Sequence, residues 1–179
     1  MPGVPPDPPT PPGPQTLRAS TEEWIVAVTM ATEAPPTPTK SPHSAVEFTA
    51  TQIPVAIRAV AEVIANRAAS GKFPDSPLGV VLQVKQFSGV LRGLALGSTG
   101  HRDFWLDAVL GKWYPEHVAR CLYEWRRLAR TPTPAVAPGA LYYYSPVGML
   151  PPHRVPTWAV ALTVVPVTGL PEDYFRFFR

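Results

Sequence analysis

Apolar side chains at helical spacing predict several helices between residues 20 and 130. The first helix spans 20–34, where Ser20 is a natural N-cap and Glu23, three residues on, completes a capping box. Two prolines follow Ala34 and end the helix there, because proline disfavours helical dihedrals in the residue before it. Glu33 is therefore predicted to lie in the last turn of this helix.

Further helices follow, and the two long ones each present an apolar face. The clearest spans 54–70, with Pro54 suited to its first turn and Gly71 to its C-terminal cap. A shorter helix begins at Pro77, and the last helix spans 114–130. The apolar positions at helical spacing in the two long helices are Ile57, Val60, Val63, Ile64, Val118, Cys121, Leu122, Trp125 and Leu128.

Strand patterns dominate the chain after residue 139. Residues 140–145 are rich in β-forming aromatics, 158–167 alternate loosely, and 174–178 form a closing aromatic strand. An additional short strand is predicted at 45–51. Helices followed by a small antiparallel sheet indicate an α+β fold.

Prolines set the N-terminal segment apart from the rest of the chain. Of 25 prolines in the sequence, many fall within residues 1–15, which predicts an extended polyproline-type arm. This arm either docks in a groove of a partner or serves as a solvated spacer. We therefore divide the chain into a proline-rich arm, 1–19, and one folded domain, 20–179.

Composition excludes several classes of protein. With 179 residues and 45% hydrophobic side chains, the chain fits one domain with a real core. A net charge of +3 is too small and too scattered for a dedicated DNA-binding protein, so we expect no nucleic-acid partner. No apolar run approaches the length of a membrane span, and the N-terminus does not have the pattern of a secretory signal.

Potential ligand residues are sparse. Cys121 is the only cysteine, which excludes an internal disulfide, and on its helix face it reads as a small buried hydrophobe. The four histidines show no ligand spacing, and no glycine-rich phosphate loop is present. We therefore expect neither a metal nor a cofactor.

Charged side chains on the long helices have two interpretations each. Glu62 is either a solvated flank of its helix or a residue of a cleft. The arginines of the last helix form either a solvated basic flank or a surface for polyanions; they are Arg120, Arg126, Arg127 and Arg130.

Glu33 occupies an unusual place for an acid. The carbonyl end of a helix carries partial negative charge, which disfavours ionisation of a carboxyl group there. A carboxylic acid that keeps its proton near neutral pH is what cleavage of a glycosidic bond requires. The alternative is an ordinary solvated glutamate at a helix end.

Several short motifs, taken in order, resemble the cell wall hydrolase family typified by spore-cortex-lytic enzymes. Together they extend from the first helix to the last residue and leave the proline-rich arm outside the resemblance. The motifs are Thr32-Glu33-Ala34, Ala59 to Arg67 (AVAEVIANR), Phe73-Pro74-Asp75, Gln86-Phe87-Ser88, Ala140 to Pro146 (ALYYYSP), Trp158, and the closing Phe177-Phe178-Arg179.

The resemblance implies an α+β domain with a lysozyme- or transglycosylase-like cleft and a catalytic Glu33. It further implies a lytic transglycosylase that cuts peptidoglycan between N-acetylmuramic acid and N-acetylglucosamine without a metal. Two departures stand out. The family usually continues its glutamate with Ala-Arg-Gly-Glu, whereas here Pro35-Pro36-Thr37 follows Ala34, and the histidine of its closing strand corresponds to Phe175.

A glycan strand requires flat apolar surfaces and hydrogen-bonding groups along a cleft. The candidates for substrate binding are Gln86, Phe87, Ser88, Tyr142, Tyr143, Tyr144 and Trp158. Strand alternation separates Tyr143 from the other two tyrosines, and family analogy directs Tyr143 toward Glu33. At least one tyrosine is expected in the sheet core, and Gln86 and Ser88 have loop capping as an alternative role.

The setting of the enzyme is a further expectation. Without a signal peptide, it is expected in a phage virion or in the host cytoplasm before release as a lysin that acts on the bacterial wall. The arm would then contact virion tail or capsid proteins. One alternative is a structural or docking component of a virion or other assembly whose hydrolase-like domain is inactive. Another is a wall-binding module without catalytic activity.

Overall fold

The computed structural model describes residues 19–83, 115–131 and 133–179. Four α-helices and a three-stranded sheet make up the regular structure of these residues. The elements are α1 (Thr21–Glu33), α2 (Ile53–Ala69), α3 (Pro77–Leu82), α4 (Pro115–Arg130), β1 (Tyr142–Tyr144), β2 (Val164–Val165) and β3 (Arg176–Phe178), with 3₁₀ turns at Ala50–Gln52, Pro146–Gly148 and Thr157–Ala161. None of the described helices combines the length and the apolar character needed to cross a membrane.

The capping box predicted for α1 is present. The Ser20 Oγ accepts from the Glu23 amide at 3.2 Å, and the Glu23 carboxylate accepts from the Ser20 amide at 2.9 Å. The same carboxylate receives the Arg126 guanidinium of α4 through two hydrogen bonds, at 2.8 and 2.9 Å. The start of α1 is thereby fixed to α4, which is its main packing partner.

Helix α2 is the centre of the core, as its apolar face predicts. It packs against the other three helices, and Gly71 beyond its end adopts a φ of 68°, which the missing Cβ allows. The fully buried apolar residues of α2 are Ala56, Ile57, Ala59, Val60, Ala61, Val63 and Ile64. Helix α3 begins at Pro77, as predicted, and the Ser76 hydroxyl caps it by accepting from the Gly79 amide.

The sheet is antiparallel, with the strand order β1-β3-β2. Tyr143 lies opposite Phe177, which lies opposite Val165, and these three side chains join the main core. Tyr144 and Phe178 belong to a second cluster with the 3₁₀ turn that contains Trp158. The α+β prediction, with helices followed by a small antiparallel sheet, is confirmed.

Two strand predictions are wrong. Residues 45–51 contain a single bridge, between Thr39 and Phe48, followed by a 3₁₀ turn in which Gln52 caps the Thr49 amide. Within 158–167 only Val164–Val165 is a strand, because the chain first makes a 3₁₀ turn and then meets Pro166, which has no amide hydrogen for the ladder. Residues 1–18 of the arm and the Gln86-Phe87-Ser88 motif lie outside the described residues.

Candidate active site

Glu33 meets Tyr143 where the end of α1 approaches β1. The Tyr143 hydroxyl donates a hydrogen bond of 2.7 Å to the Glu33 Oε2. Burial raises the pKa of the Glu33 carboxyl above its usual value, while the Tyr143 hydrogen bond and the positive charge of Arg67 act in the opposite direction. The direction of this pKa change agrees with the sequence prediction, and burial is its largest cause.

Tyr143 is held as a hydrogen-bond donor. Its ring packs on Phe177 and Phe175, with centroid distances of 5.6 and 6.3 Å. Burial and the neighbouring Glu33 raise the pKa of the Tyr143 phenol well above its usual value, so the hydroxyl keeps its proton at neutral pH. The hydrogen bond between the two side chains confirms the predicted approach of Tyr143 to Glu33.

Arg67, near the end of α2, supplies the positive charge of the site. Only 3% of this residue is exposed, and its Nε donates a 2.6 Å hydrogen bond to the Leu141 carbonyl. Its guanidinium carbon lies 5.0 Å from the Phe73 ring centroid and 5.8 Å from that of Tyr142. Arg67 thus holds the chain two residues before Tyr143 while its charge favours an ionised Glu33.

A row of polar side chains on α2 fixes the segment that leads into β1. The Asn66 amide donates to the Ala140 carbonyl at 3.0 Å. The Glu62 carboxylate accepts from the Ala137 amide at 2.7 Å and pairs with the Arg58 Nε at 2.8 Å. Glu62 is 4% exposed, so the interpretation as a solvated flank is wrong. Its carboxylate anchors the 136–137 backbone, and a role in a cleft stays a prediction.

His117 of α4 fixes the backbone just after Glu33. Its Nε2 lies 3.0 Å from the Ala34 carbonyl oxygen, which can only accept, so this nitrogen carries the proton. Burial lowers the pKa of the imidazole, which favours this neutral form. No sequence signal identifies His117, because a lone histidine on an apolar helix face is indistinguishable from an ordinary core residue.

Three of the other predicted aromatics, Tyr142, Tyr144 and Trp158, lie on the opposite face of the sheet from Tyr143. Tyr142 contacts Phe73 and Trp158, with ring centroids 5.8 and 5.7 Å apart, so these three rings form a row that begins beside Arg67. Trp158 is 41% exposed. Tyr144 is buried under Trp158 and Phe178, so it is one of the tyrosines expected in the sheet core.

The described residues include no group of three or more His, Cys, Asp or Glu side chains arranged to hold a metal ion. The chemistry available at Glu33 is that of one carboxyl group between a neutral hydroxyl donor and a guanidinium cation. Such a carboxyl can release a proton and then persist as a stabilised carboxylate.

Comparison with known proteins places this chain among wall-degrading enzymes. A family model described as Cell Wall Hydrolase matches residues 54–165, a range that begins after Glu33. The catalytic domain of the Bacillus cereus SleB protein is 18% identical, covering 92% of this chain and 94% of that one with a TM-score of 0.46. The catalytic domain of the germination-specific lytic transglycosylase SleB from Bacillus anthracis is also 18% identical, covering 90% and 97% with a TM-score of 0.45. A search of curated proteins gives no match.

Proposed function

The chain belongs to the cell wall hydrolase family of peptidoglycan-degrading enzymes, and from this premise we propose that it is a lytic transglycosylase with Glu33 as both acid and base. The bond cleaved is the β-1,4 linkage between N-acetylmuramic acid and N-acetylglucosamine. The observation that carries the proposal is the 2.7 Å hydrogen bond from the Tyr143 hydroxyl to the Glu33 Oε2.

In the first step, the protonated Glu33 gives its proton to the glycosidic oxygen as the bond from that oxygen to the muramic anomeric carbon breaks. In the second step, the Glu33 carboxylate takes the proton of the muramic 6-hydroxyl, whose oxygen attacks the anomeric carbon. The products are a free 4-hydroxyl on N-acetylglucosamine and a 1,6-anhydro muramic end, and no water is consumed. Glu33 ends protonated and ready for the next turnover.

The surroundings of Glu33 suit both steps. Burial raises the pKa of the Glu33 carboxyl, which favours the protonated form that the first step requires. Once the proton has left, the Tyr143 hydroxyl and the Arg67 charge stabilise the carboxylate that remains. Because Tyr143 occupies Oε2, we assign the proton transfers to Oε1.

The aromatic row formed by Phe73, Tyr142 and Trp158 is our candidate for the glycan platform. Successive ring centroids lie 5.7 to 5.8 Å apart, and the ring planes differ by 61° and 36°, so the row is staggered. Apolar aromatic faces suit pyranose rings. Tyr144, which is buried, would support Trp158 instead of contacting sugar. Binding of the acetamido groups by Gln86, Phe87 and Ser88 stays a prediction from the sequence.

The test is a turbidity assay on purified peptidoglycan with matched variants of α1. Glu33→Gln keeps a hydrogen-bond acceptor for Tyr143 but cannot donate and recover a proton, so clearing should stop. Glu22→Gln is the control, since this exposed glutamate lies at the other end of the same helix. Equal clearing by wild type and Glu33→Gln would exclude Glu33 as the acid.

Our proposal for where this enzyme occurs rests on the sequence. We propose a phage virion-associated enzyme or a lysin released in the host, with the proline-rich arm as its anchor. Deleting residues 1–15 should then leave peptidoglycan clearing unchanged and abolish incorporation into the assembly. Unchanged incorporation would remove the arm from this role.

A further inference from the structure

A pocket of about 120 Å³ lies between β2 and the segment that leads into β3. Its walls are largely apolar, and its polar groups are the Thr168 hydroxyl, the Glu172 carboxylate and the Arg176 guanidinium. The lining residues are Val164, Val165, Pro166, Val167, Thr168, Leu170, Glu172, Phe175, Arg176 and Phe177.

Arg176 brings an unused hydrogen-bond donor to this pocket. Its Nε is buried and donates no hydrogen bond to any of the residues that the structure describes. The nearest acid, the Glu172 Oε2, lies at 3.7 Å, which is too far for a hydrogen bond, and Glu172 itself is 69% exposed. The Arg176 side chain is 36% exposed and forms an ion pair with Glu172, so only its Nε is buried without a hydrogen-bond acceptor. A donor atom of this kind can bind an anionic oxygen, and a carboxylate fits it best.

The pocket lies near the Glu33–Tyr143 pair. Phe177, one of its lining residues, is directly opposite Tyr143 in the sheet, with the two ring centroids 5.6 Å apart. Neighbouring strands lie about 4.8 Å apart, so β2 is roughly 10 Å across the sheet from β1. An extended tripeptide also spans about 10 Å.

We infer that this pocket receives the acidic peptide stem carried by the muramic acid of the strand under attack. Alanine methyl groups of the stem would contact the valine and phenylalanine walls, and the free carboxylate of its glutamate would accept from the Arg176 Nε. The inference rests on the proposed function and refines its substrate: the enzyme prefers glycan that still carries peptide over bare glycan.

The kinetic test compares intact sacculi with glycan strands stripped of peptide by an amidase, both at limiting concentration. Wild type should cleave the intact material several-fold faster. Arg176→Met keeps the aliphatic stem and loses the donor, so the rate on intact sacculi should fall about tenfold, as for loss of one charge-assisted hydrogen bond. The rate on stripped strands should not change.

Two further variants make the kinetic result specific. Arg179→Met, at the exposed residue that follows β3, should change neither rate. Val164→Glu, at a half-exposed position of the pocket, adds a charge that repels an acidic stem and should slow cleavage of intact sacculi alone. Equal losses on both substrates, or no preference by wild type, would overturn the inference while leaving the proposed function in place.

A binding measurement separates this inference from the catalytic proposal. The tripeptide L-Ala-γ-D-Glu-diaminopimelate, added at millimolar concentration, should shift the methyl NMR signals of Val164 and Val165. The same peptide with its glutamate carboxylate amidated, or the Arg176→Met variant with the original peptide, should give no shift. If the enzyme is active but the tripeptide moves neither valine, the pocket does not bind the stem. If the valines shift but no substrate is cleaved, the proposed activity fails and the peptide site stands.

Discussion

Replacing Tyr143 by phenylalanine removes one hydroxyl group from the candidate site and little else. The ring that packs on Phe175 and Phe177 is retained, so the core on that side of the sheet should keep its shape. What is lost is the 2.7 Å hydrogen bond to the Glu33 Oε2. The variant therefore tests whether this bond sets the acid strength and orientation of Glu33.

The size of the effect follows from the kind of bond. A hydrogen bond to a charged group contributes about 1.5–3 kcal/mol, and each 1.4 kcal/mol is tenfold in rate. Because this bond is strongest when Glu33 is a carboxylate, its loss should lower kcat by about 10- to 100-fold. The hydrogen bond also lowers the pKa of Glu33, so its removal raises that pKa and moves the alkaline limb of the pH–rate profile to higher pH.

The assay is release of soluble muropeptides from purified sacculi, measured as initial rate from pH 4 to pH 9. Tyr144→Phe is the matched control, because Tyr144 is the next residue on β1 and belongs to the cluster on the other face of the sheet. That variant should keep both the rate and the pH profile of wild type. A Tyr143→Phe enzyme with unchanged rate and unchanged profile would refute this reasoning.

Three further predictions concern stability. Glu33→Gln should melt a few degrees higher than wild type at pH 7. Folding raises the pKa of Glu33, so the free energy of unfolding of wild type falls as pH rises, whereas below about pH 4.5 the two proteins should melt alike. Glu62→Ala should lower the free energy of unfolding in urea by about 3–5 kcal/mol, because it leaves the buried Arg58 charge and the Ala137 amide without their acceptor, and a loss under 1 kcal/mol would contradict the anchoring role. The folded state lowers the pKa of His117, so its contribution to stability is complete above the usual value of 6.5 and declines as pH falls below it; His117→Gln keeps a donor for Ala34 and should remove this decline in denaturant titrations.

The helices could be predicted from the sequence because their signals are local. Ser20 and Glu23 are three residues apart, and Pro54 and Gly71 mark the two ends of α2. The sequence signals for strands are weaker. Strand β2 has only two residues, and the segment around Phe48 forms only an isolated bridge to Thr39. Such short strands form only because of the strands that pair with them, and the sequence of one segment does not show which distant segment is its partner.

The candidate site also contains residues that the sequence predicts and residues that it does not. Tyr143 was predicted to face Glu33 because strand alternation and the family motif agreed. The roles of Glu62 and Arg67 were not predictable, because each acts on backbone more than 70 positions away along the chain. Their partners are amides and carbonyls, which every residue carries, so no residue type in the sequence indicates them.

The most direct test of the central claim is mass spectrometry of the products made from purified sacculi in water enriched in ¹⁸O. If Glu33 acts as acid and then base on the muramic 6-hydroxyl, wild type releases 1,6-anhydro muropeptides without ¹⁸O, and Glu33→Gln releases none. Reducing muramic ends that contain ¹⁸O, or anhydro products from the Glu33→Gln enzyme, would contradict it.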